Sequence, residues 1–152
     1  MEAIPIERQN SIGFVIRGLS NLLRRKMMEM APPPPEDRQT PTEAEGQIID
    51  FLCDHLDLDL YQRDVERVFC IRRSTACRFL QNLERDGLLV RRSVPQDARL
   101  KKLVPTAKAL AIHAEIESKT RMIEALMTRD LTREEIGQFL SIARKIQRNL
   151  RQ

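Results

Sequence analysis

Ser74-Thr-Ala-Cys-Arg-Phe-Leu-Gln-Asn-Leu-Glu-Arg-Asp-Gly-Leu-Leu-Val-Arg-Arg92 is the stretch that decides how this chain is read. Its first part, Ser74 to Arg85, places Ala76, Phe79, Leu80 and Leu83 at the i, i+3, i+4, i+7 spacing of one buried helical stripe. At about 100° per residue, Ser74, Arg78, Gln81 and Arg85 fall on the opposite face, with Thr75, Cys77 and Asn82 at the margins. Asp86-Gly87 supplies a helix stop, and Leu88 to Arg92 then reads as a strand.

Upstream, Gln62 to Phe69 is a second short amphipathic helix with Val65, Val68 and Phe69 expected inward. Cys70-Ile71-Arg72-Arg73 fits the corner of a helix-turn-helix. Downstream, a turn around Pro95 and Asp97 leads to a second strand, Leu100 to Val104, which closes a basic hairpin. The alternating Leu56-Asp57-Leu58-Asp59-Leu60 reads as a mixture of loop and short strand beside that hairpin.

The remaining chain is helical by pattern. Ser11 is a plausible N-cap for a helix reaching Met30, whose apolar positions from Ile12 to Met27 are too many for a lone surface helix. Pro32 to Pro35 end it and favour an extended spacer. Thr40-Pro41-Thr42-Glu43 satisfies a capping box with Thr40 as N-cap, opening a helix to about His55 with Ala44, Ile48, Phe51 and Leu52 inward. Thr106 caps a long helix to about Met127 with Leu110, Ala114, Ile123 and Leu126 as candidates for burial. Thr132-Arg-Glu-Glu135 is a further capping box for a last helix through Ile136, Phe139, Leu140, Ala143, Ile146 and Leu150.

Charge is concentrated. Gln62 to Lys102 holds eleven Lys and Arg against five Asp and Glu, although the net charge of all 152 residues is only +4. A basic patch on a motif-bearing segment is the footprint of a polyanionic partner. Three cysteines without CxxC spacing indicate neither a disulfide framework nor a zinc site. His55 and His113 lack a flanking ligand pattern, so no metal and no cofactor are expected. There is no Gly-rich phosphate loop, GxSxG or HExxH, which argues against an enzyme. No stretch approaches the roughly 18 uncharged residues of a membrane span, and no membrane role is expected. With Glu2, Glu7, Arg8 and Arg17 at the start there is no secretion signal, and a cytoplasmic protein with reduced thiols is expected.

The run Leu83-Glu84-Arg85-Asp86-Gly87-Leu88-Leu89-Val90-Arg91-Arg92, followed by Asp97-Ala98-Arg99 and by Val104-Pro105-Thr106-Ala107-Lys108, resembles the MarR family of bacterial winged helix-turn-helix regulators. It departs from the family pattern at Pro105, usually Leu, and at Ala109, often Gly. The resemblance implies a mainly α (α+β) fold: a winged helix-turn-helix with a small β wing, flanked by N- and C-terminal dimerisation helices. Residues 1–152 are then one domain, with 1–31 and 106–152 in dimerisation and 36–105 binding DNA.

The implied function is a homodimeric, sequence-specific regulator of transcription, expected to be a repressor, bound to double-stranded DNA and modulated by a small-molecule effector or by thiol oxidation. The alternative is a winged-helix module for protein contacts without DNA readout. Arg72, Arg73, Ser74, Thr75, Arg78 and Gln81 are expected to contact DNA from the recognition helix, since such side chains read base edges or phosphates. Arg91, Arg92, Asp97, Arg99 and Lys101 are expected in the wing, where the resemblance sends Arg99 into the minor groove and makes Asp97 the brace of the tip. Cys70 and Cys77, among Arg67, Arg72, Arg73 and Arg78, are the candidate redox thiols.

Overall fold

The computed structural model describes residues 11–30, 41–95 and 97–151, and for Ala98 the backbone only. The Pro32–Pro35 spacer and Thr40 lie outside these residues. In order, the elements are α1 (Ile12–Met30), α2 (Glu43–Asp54), α3 (Gln62–Phe69), α4 (Arg73–Arg85), β1 (Leu89–Val94), β2 (Asp97–Pro105), α5 (Ala107–Thr128) and α6 (Arg133–Leu150). The fold is mainly α, with one two-stranded antiparallel sheet among the described residues. These residues fall into two compact units, 41–118 and 11–30 with 119–151.

The first unit is built on a single core. Ile48, Ile49 and Leu52 of α2, Val65 of α3, Ala76, Leu80 and Leu83 of α4, and Leu88, Leu89, Leu103, Ala109 and Ile112 form one buried cluster. The apolar stripe expected on α4 is therefore the one that packs, with Phe79 half-buried at its edge. On α3 the expectation needs correction: Val65 and Phe69 pack inward, but Val68 is 47% exposed. Val65 and Phe69 are four residues apart and stack on one face, where the Phe69 ring meets Phe51 edge-on at 5.8 Å; Val68 is turned away from that axis.

The capping box of α2 sits two residues later than the sequence suggests. Thr42, not Thr40, is the N-cap: its Oγ1 accepts from Glu45 N at 3.3 Å, and its own N–H donates to Glu45 Oε2 at 2.8 Å. Thr-x-x-Glu occurs in both frames. The later one prevails because it also carries Glu45 into the unit, where Oε1 accepts from Asn82 Nδ2 of α4 at 2.9 Å.

The helix-turn-helix corner is left-handed at Cys70, with φ of 54°. Its N–H and that of Ile71 both reach Glu66 O, which closes α3. At the other end of α4, Gly87 takes φ of 72°; Gly87 N donates to Glu84 O and Leu88 N to Leu83 O, the paired bonds of a Schellman stop. Leu83 and Leu88 are both buried at this exit, which fixes the angle at which β1 leaves.

β1 and β2 pair from Leu89↔Pro105 to Ser93↔Lys101, and a bulge between Ser93 and Val94 precedes the tip. Residues 56–60 form no sheet strand; they are linked to β2 by Leu103 N donating to Leu60 O at 2.8 Å and by the pairing of Lys102 with Asp59. Thr106 joins wing to α5. Its Oγ1 donates to Gly87 O at 2.8 Å and accepts from Ala109 N at 3.3 Å, while Lys108 Nζ donates to Asp86 O at 2.8 Å. Neither departure from the family pattern disturbs this junction: Pro105 ends the ladder, and Ala109 is fully buried.

α5 buries Ala109 and Ile112 in the first unit and Ile123 in the second. Leu110, Ala114 and Leu126, expected inward, are exposed. Apolar residues lie on several sides of this helix, so spacing alone did not select the packing face. In the second unit, Ser11 Oγ accepts from Phe14 N at 3.3 Å at the start of α1, and Thr132 and Glu135 form the expected capping box of α6. Neither α1 nor α6 contains a buried residue.

Candidate nucleic-acid interface

Burial of one stripe of α4 forces the other outward. Ser74, Arg78, Gln81 and Arg85 are all exposed, Thr75 and Cys77 are half-buried, and Arg72 and Arg73 are exposed at the helix start. Gln62 of α3 donates to Arg73 O at 3.4 Å and to Glu66 Oε1 at 2.9 Å, bracing the corner. Arg78 lies over the Phe79 ring at 5.3 Å to its centroid. Arg85 is engaged by its neighbour: Nε donates to Asp86 Oδ1 at 2.9 Å, and this bond first, then the Asp86 charge, raises the guanidinium pKa. Asn82, at the margin of the polar face, is taken up by Glu45.

The expected wing residues occupy different settings. Arg92, Arg99 and Lys101 are exposed, with Lys101 Nζ donating to Ser93 Oγ across the strand pair at 2.6 Å. Arg91 is half-buried, its Nε 3.4 Å from Glu84 Oε2, so it joins the wing base to α4. Asp97 Oδ1 accepts from the backbone N–H of Arg99 at 2.9 Å. The carboxylate thus fixes the main chain at the tip, leaving the Arg99 side chain exposed. Lys102, outside the expected set, pairs with Asp59.

Three further residues were not legible as part of this unit's polar framework. Glu45 is 5% exposed, yet carboxylate at its depth is tolerated because every nearby bond favours the anion. Burial alone would raise its pKa, but the hydrogen bonds from Asn82 and from Thr42 N–H and hydroxyl outweigh it, and the net direction is down. The only hint in the sequence is the second Thr-x-x-Glu frame. His113 of α5 donates Nδ1–H to Asp50 Oδ1 at 2.8 Å and has Nε2 3.4 Å from Asp54, fastening α5 to α2. Burial pushes the Asp50 carboxyl up, against the opposing hydrogen bond and charge of His113.

Of the thiols, Cys70 is exposed and Cys77 half-buried. Burial first, with the charges of Asp50 and Asp54, pushes the buried Cys53 thiol up to about 11. Among the described residues no group of three or more His, Cys, Asp and Glu is placed to hold a metal ion, and no helix is long and apolar enough to cross a membrane.

Two short helices at a left-handed corner, a polar outward face on the second, and a basic hairpin after it define a winged helix-turn-helix protein. The MarR family model matches residues 40–100, so this reading unit is similar in sequence to the MarR family. No curated protein sequence matches it. Among solved structures, the MarR regulator of Oenococcus oeni PSU-1 is 27% identical, covering 90% of this chain and 98% of its own, with a TM-score of 0.72. The S. aureus MepR–DNA complex is 23% identical, covering 90% and 96%, with a TM-score of 0.74. PcaV of Streptomyces coelicolor, solved with its natural ligand, is 23% identical, covering 96% of each chain, with a TM-score of 0.74.

Proposed function

We propose that the protein is a homodimeric, sequence-specific DNA-binding repressor of transcription, acting in the cytoplasm, whose DNA affinity is modulated by a small-molecule effector or by thiol oxidation. The observation that carries this is the division of α4: a fully buried stripe of Ala76, Leu80 and Leu83 holds Ser74, Arg78 and Gln81 outward. Arg78, Gln81 and Ser74 read base edges in the major groove, Thr75 adds a contact from the margin, and Arg72 and Arg73 neutralise phosphates at the helix start. In the wing, Arg99 enters the minor groove from a tip held by Asp97, with Arg92 and Lys101 on phosphate. Arg91 serves the wing's attachment through Glu84 in place of a phosphate contact.

Support from relatives is of the same kind: the MepR structure is a DNA complex, as is that of a MarR-family regulator from Listeria monocytogenes with 26mer DNA, and PcaV holds a ligand. In this reading residues 1–152 are one MarR-type domain, with 1–31 and 106–152 making the dimer and 36–105 binding DNA. Cys70, exposed at the corner of the helix-turn-helix, and Cys77 on α4 are the thiols through which oxidation would act.

The test is selection of bound fragments from random duplex DNA. A two-fold operator with half-sites about one helical turn apart is expected, because a symmetric dimer presents two copies of α4. Arg78→Ala should lower discrimination between that operator and random DNA by about 1 to 3 kcal/mol. Failure to enrich any sequence would overturn the reading in favour of a protein-contact module.

A further inference from the structure

The inner face of the wing carries one side chain out of keeping with its neighbours. Alternate residues of a strand share a face. Along β1 that face holds the buried Leu89 and then Arg91, whose partner across the ladder is the buried Leu103. A guanidinium therefore stands where the pattern asks for an apolar group. Its Nε and Nη2 are both covered from solvent, and neither has a hydrogen-bond partner among the described residues. Covered N–H donors without partners are uncommon in folded proteins, and each calls for a reason.

Nε and Nη2 form one edge of the planar guanidinium, with two N–H bonds that point the same way and match the two oxygens of a carboxylate. The acid at that edge is Glu84 of α4, its Oε2 3.4 Å from Nε. That separation makes an ion pair but exceeds the roughly 2.7 to 3.2 Å of an N–H···O bond, so the pair is drawn up and not closed. β2 is held to the 56–60 loop by the Leu103–Leu60 bond and by Lys102 with Asp59. β1 is held to α4 by the buried Leu83 and Leu88 at the helix exit and, further along the strand, by Arg91 with Glu84. We propose that Arg91 is a positioning residue of the DNA-reading surface: its Nε–Nη2 edge clasps both oxygens of Glu84 and so fixes the lean of the wing against α4, without touching DNA itself. The clasp lets Arg99 in the minor groove and Arg78 in the major groove hold one duplex together, a clause that rests on the function proposed above.

The experiment uses the full-length protein with ¹⁵N-labelled arginine. Without DNA, the Arg91 Nε–H resonance, assigned by its loss in Arg91→Lys, should move in Glu84→Gln; a resonance indifferent to Glu84→Gln would overturn the clasp. On the selected operator, Arg91→Lys and Glu84→Gln should each raise Kd by about tenfold, the loss of a charge-assisted two-point contact, and the double variant should bind no more weakly than either. Lysine keeps the charge and loses the fork. An Arg91 bound to phosphate would instead be rescued by lysine and helped by removing the Glu84 charge, and either result would overturn the proposal. Positioning is separated from a merely structural contact by changing the background. Arg99→Ala should cost little further in Arg91→Lys, while Arg78→Ala should cost the same there as in the wild type; an equal cost of Arg99→Ala in both backgrounds would overturn the positioning role. Glu84 is exposed, so Glu84→Gln keeps the fold, and slow labelling of the buried Cys53 checks the core in Arg91→Lys. If no DNA sequence is selected, the proposed function falls, while the Nε–H resonance still decides whether the clasp forms.

Discussion

Glu45 shows how one side chain can set the position of the reading helix. It caps α2 through Thr42 and receives Asn82 of α4, so the N-terminus of one helix holds the margin of the other. Asn82→Ala removes one partner of a buried carboxylate and should cost about 1 to 3 kcal/mol at neutral pH by denaturant unfolding; a loss under about 0.5 kcal/mol would show the contact to be incidental. The pH dependence has a definite sign. The Glu45 pKa is depressed below its ordinary 4.5 in the folded protein, so its contribution is present above that value and declines as pH falls through the folded value. Unfolding measured from pH 7 to pH 3 should show this acid loss in the wild type and a shallower one in Asn82→Ala. The cysteines differ by the same logic of environment. Cys70 should react with a thiol reagent first, Cys77 more slowly, and Cys53 only on unfolding, since burial and two carboxylates hold it as a thiol. Rapid labelling of Cys53 in the native protein would contradict the packing of α2.

At the level of elements, the polar and apolar faces of α4 were legible in the sequence because Ala76, Phe79, Leu80 and Leu83 all fall on one i, i+3, i+4, i+7 stripe, and one buried partner surface took it up. The frame of the α2 capping box was not, since Thr40 and Thr42 both precede a Glu by three residues and only the distant Asn82 distinguishes them. The inward face of α3 was misread at Val68 for a similar reason: in eight residues, spacing leaves room for two neighbouring faces. Gly87, by contrast, announces itself. At φ of 72° any Cβ is strained, and Gly87→Ala should destabilise by about 1 kcal/mol in thermal unfolding although its Cβ meets no neighbour within 4 Å. The wing tip is a test of orientation. Asp97→Ala frees the Arg99 N–H and should weaken operator binding less than Arg99→Ala, because the guanidinium stays but its main chain is no longer held. Lys101→Ala should instead flatten the dependence of log K on log salt by about one unit for all sequences.

The two units differ in how they dispose of their apolar residues. The first buries them in one core, which accounts for its family pattern being readable as a continuous motif. In the second, α1 exposes Ile12, Val15, Ile16, Leu19 and Leu22, and α6 exposes Phe139 (60%), Leu140 and Leu150 (81%). The α1 row, and the α6 row taken with Ile136 and Ala143, follow the i, i+3, i+4 rule, which is the pattern of a partner-facing surface. Exposed rows of this kind are uncommon on a monomer and mark an interface, and a two-fold pair buries identical surfaces on both copies. Phe139→Glu combined with Leu140→Glu places two charges in the middle of the exposed α6 row. The wild type should sediment as a dimer at micromolar concentration and the variant as a monomer. It should leave the core of residues 41–118 intact, seen in the unchanged reactivity of the buried Cys53. Operator affinity should fall far more than affinity for a single half-site, since each α4 still reads but the second is no longer held beside the first. A wild-type protein that is monomeric, or a charged variant that remains dimeric, would require α1 and α6 to find cover elsewhere and would remove the basis for a two-fold operator.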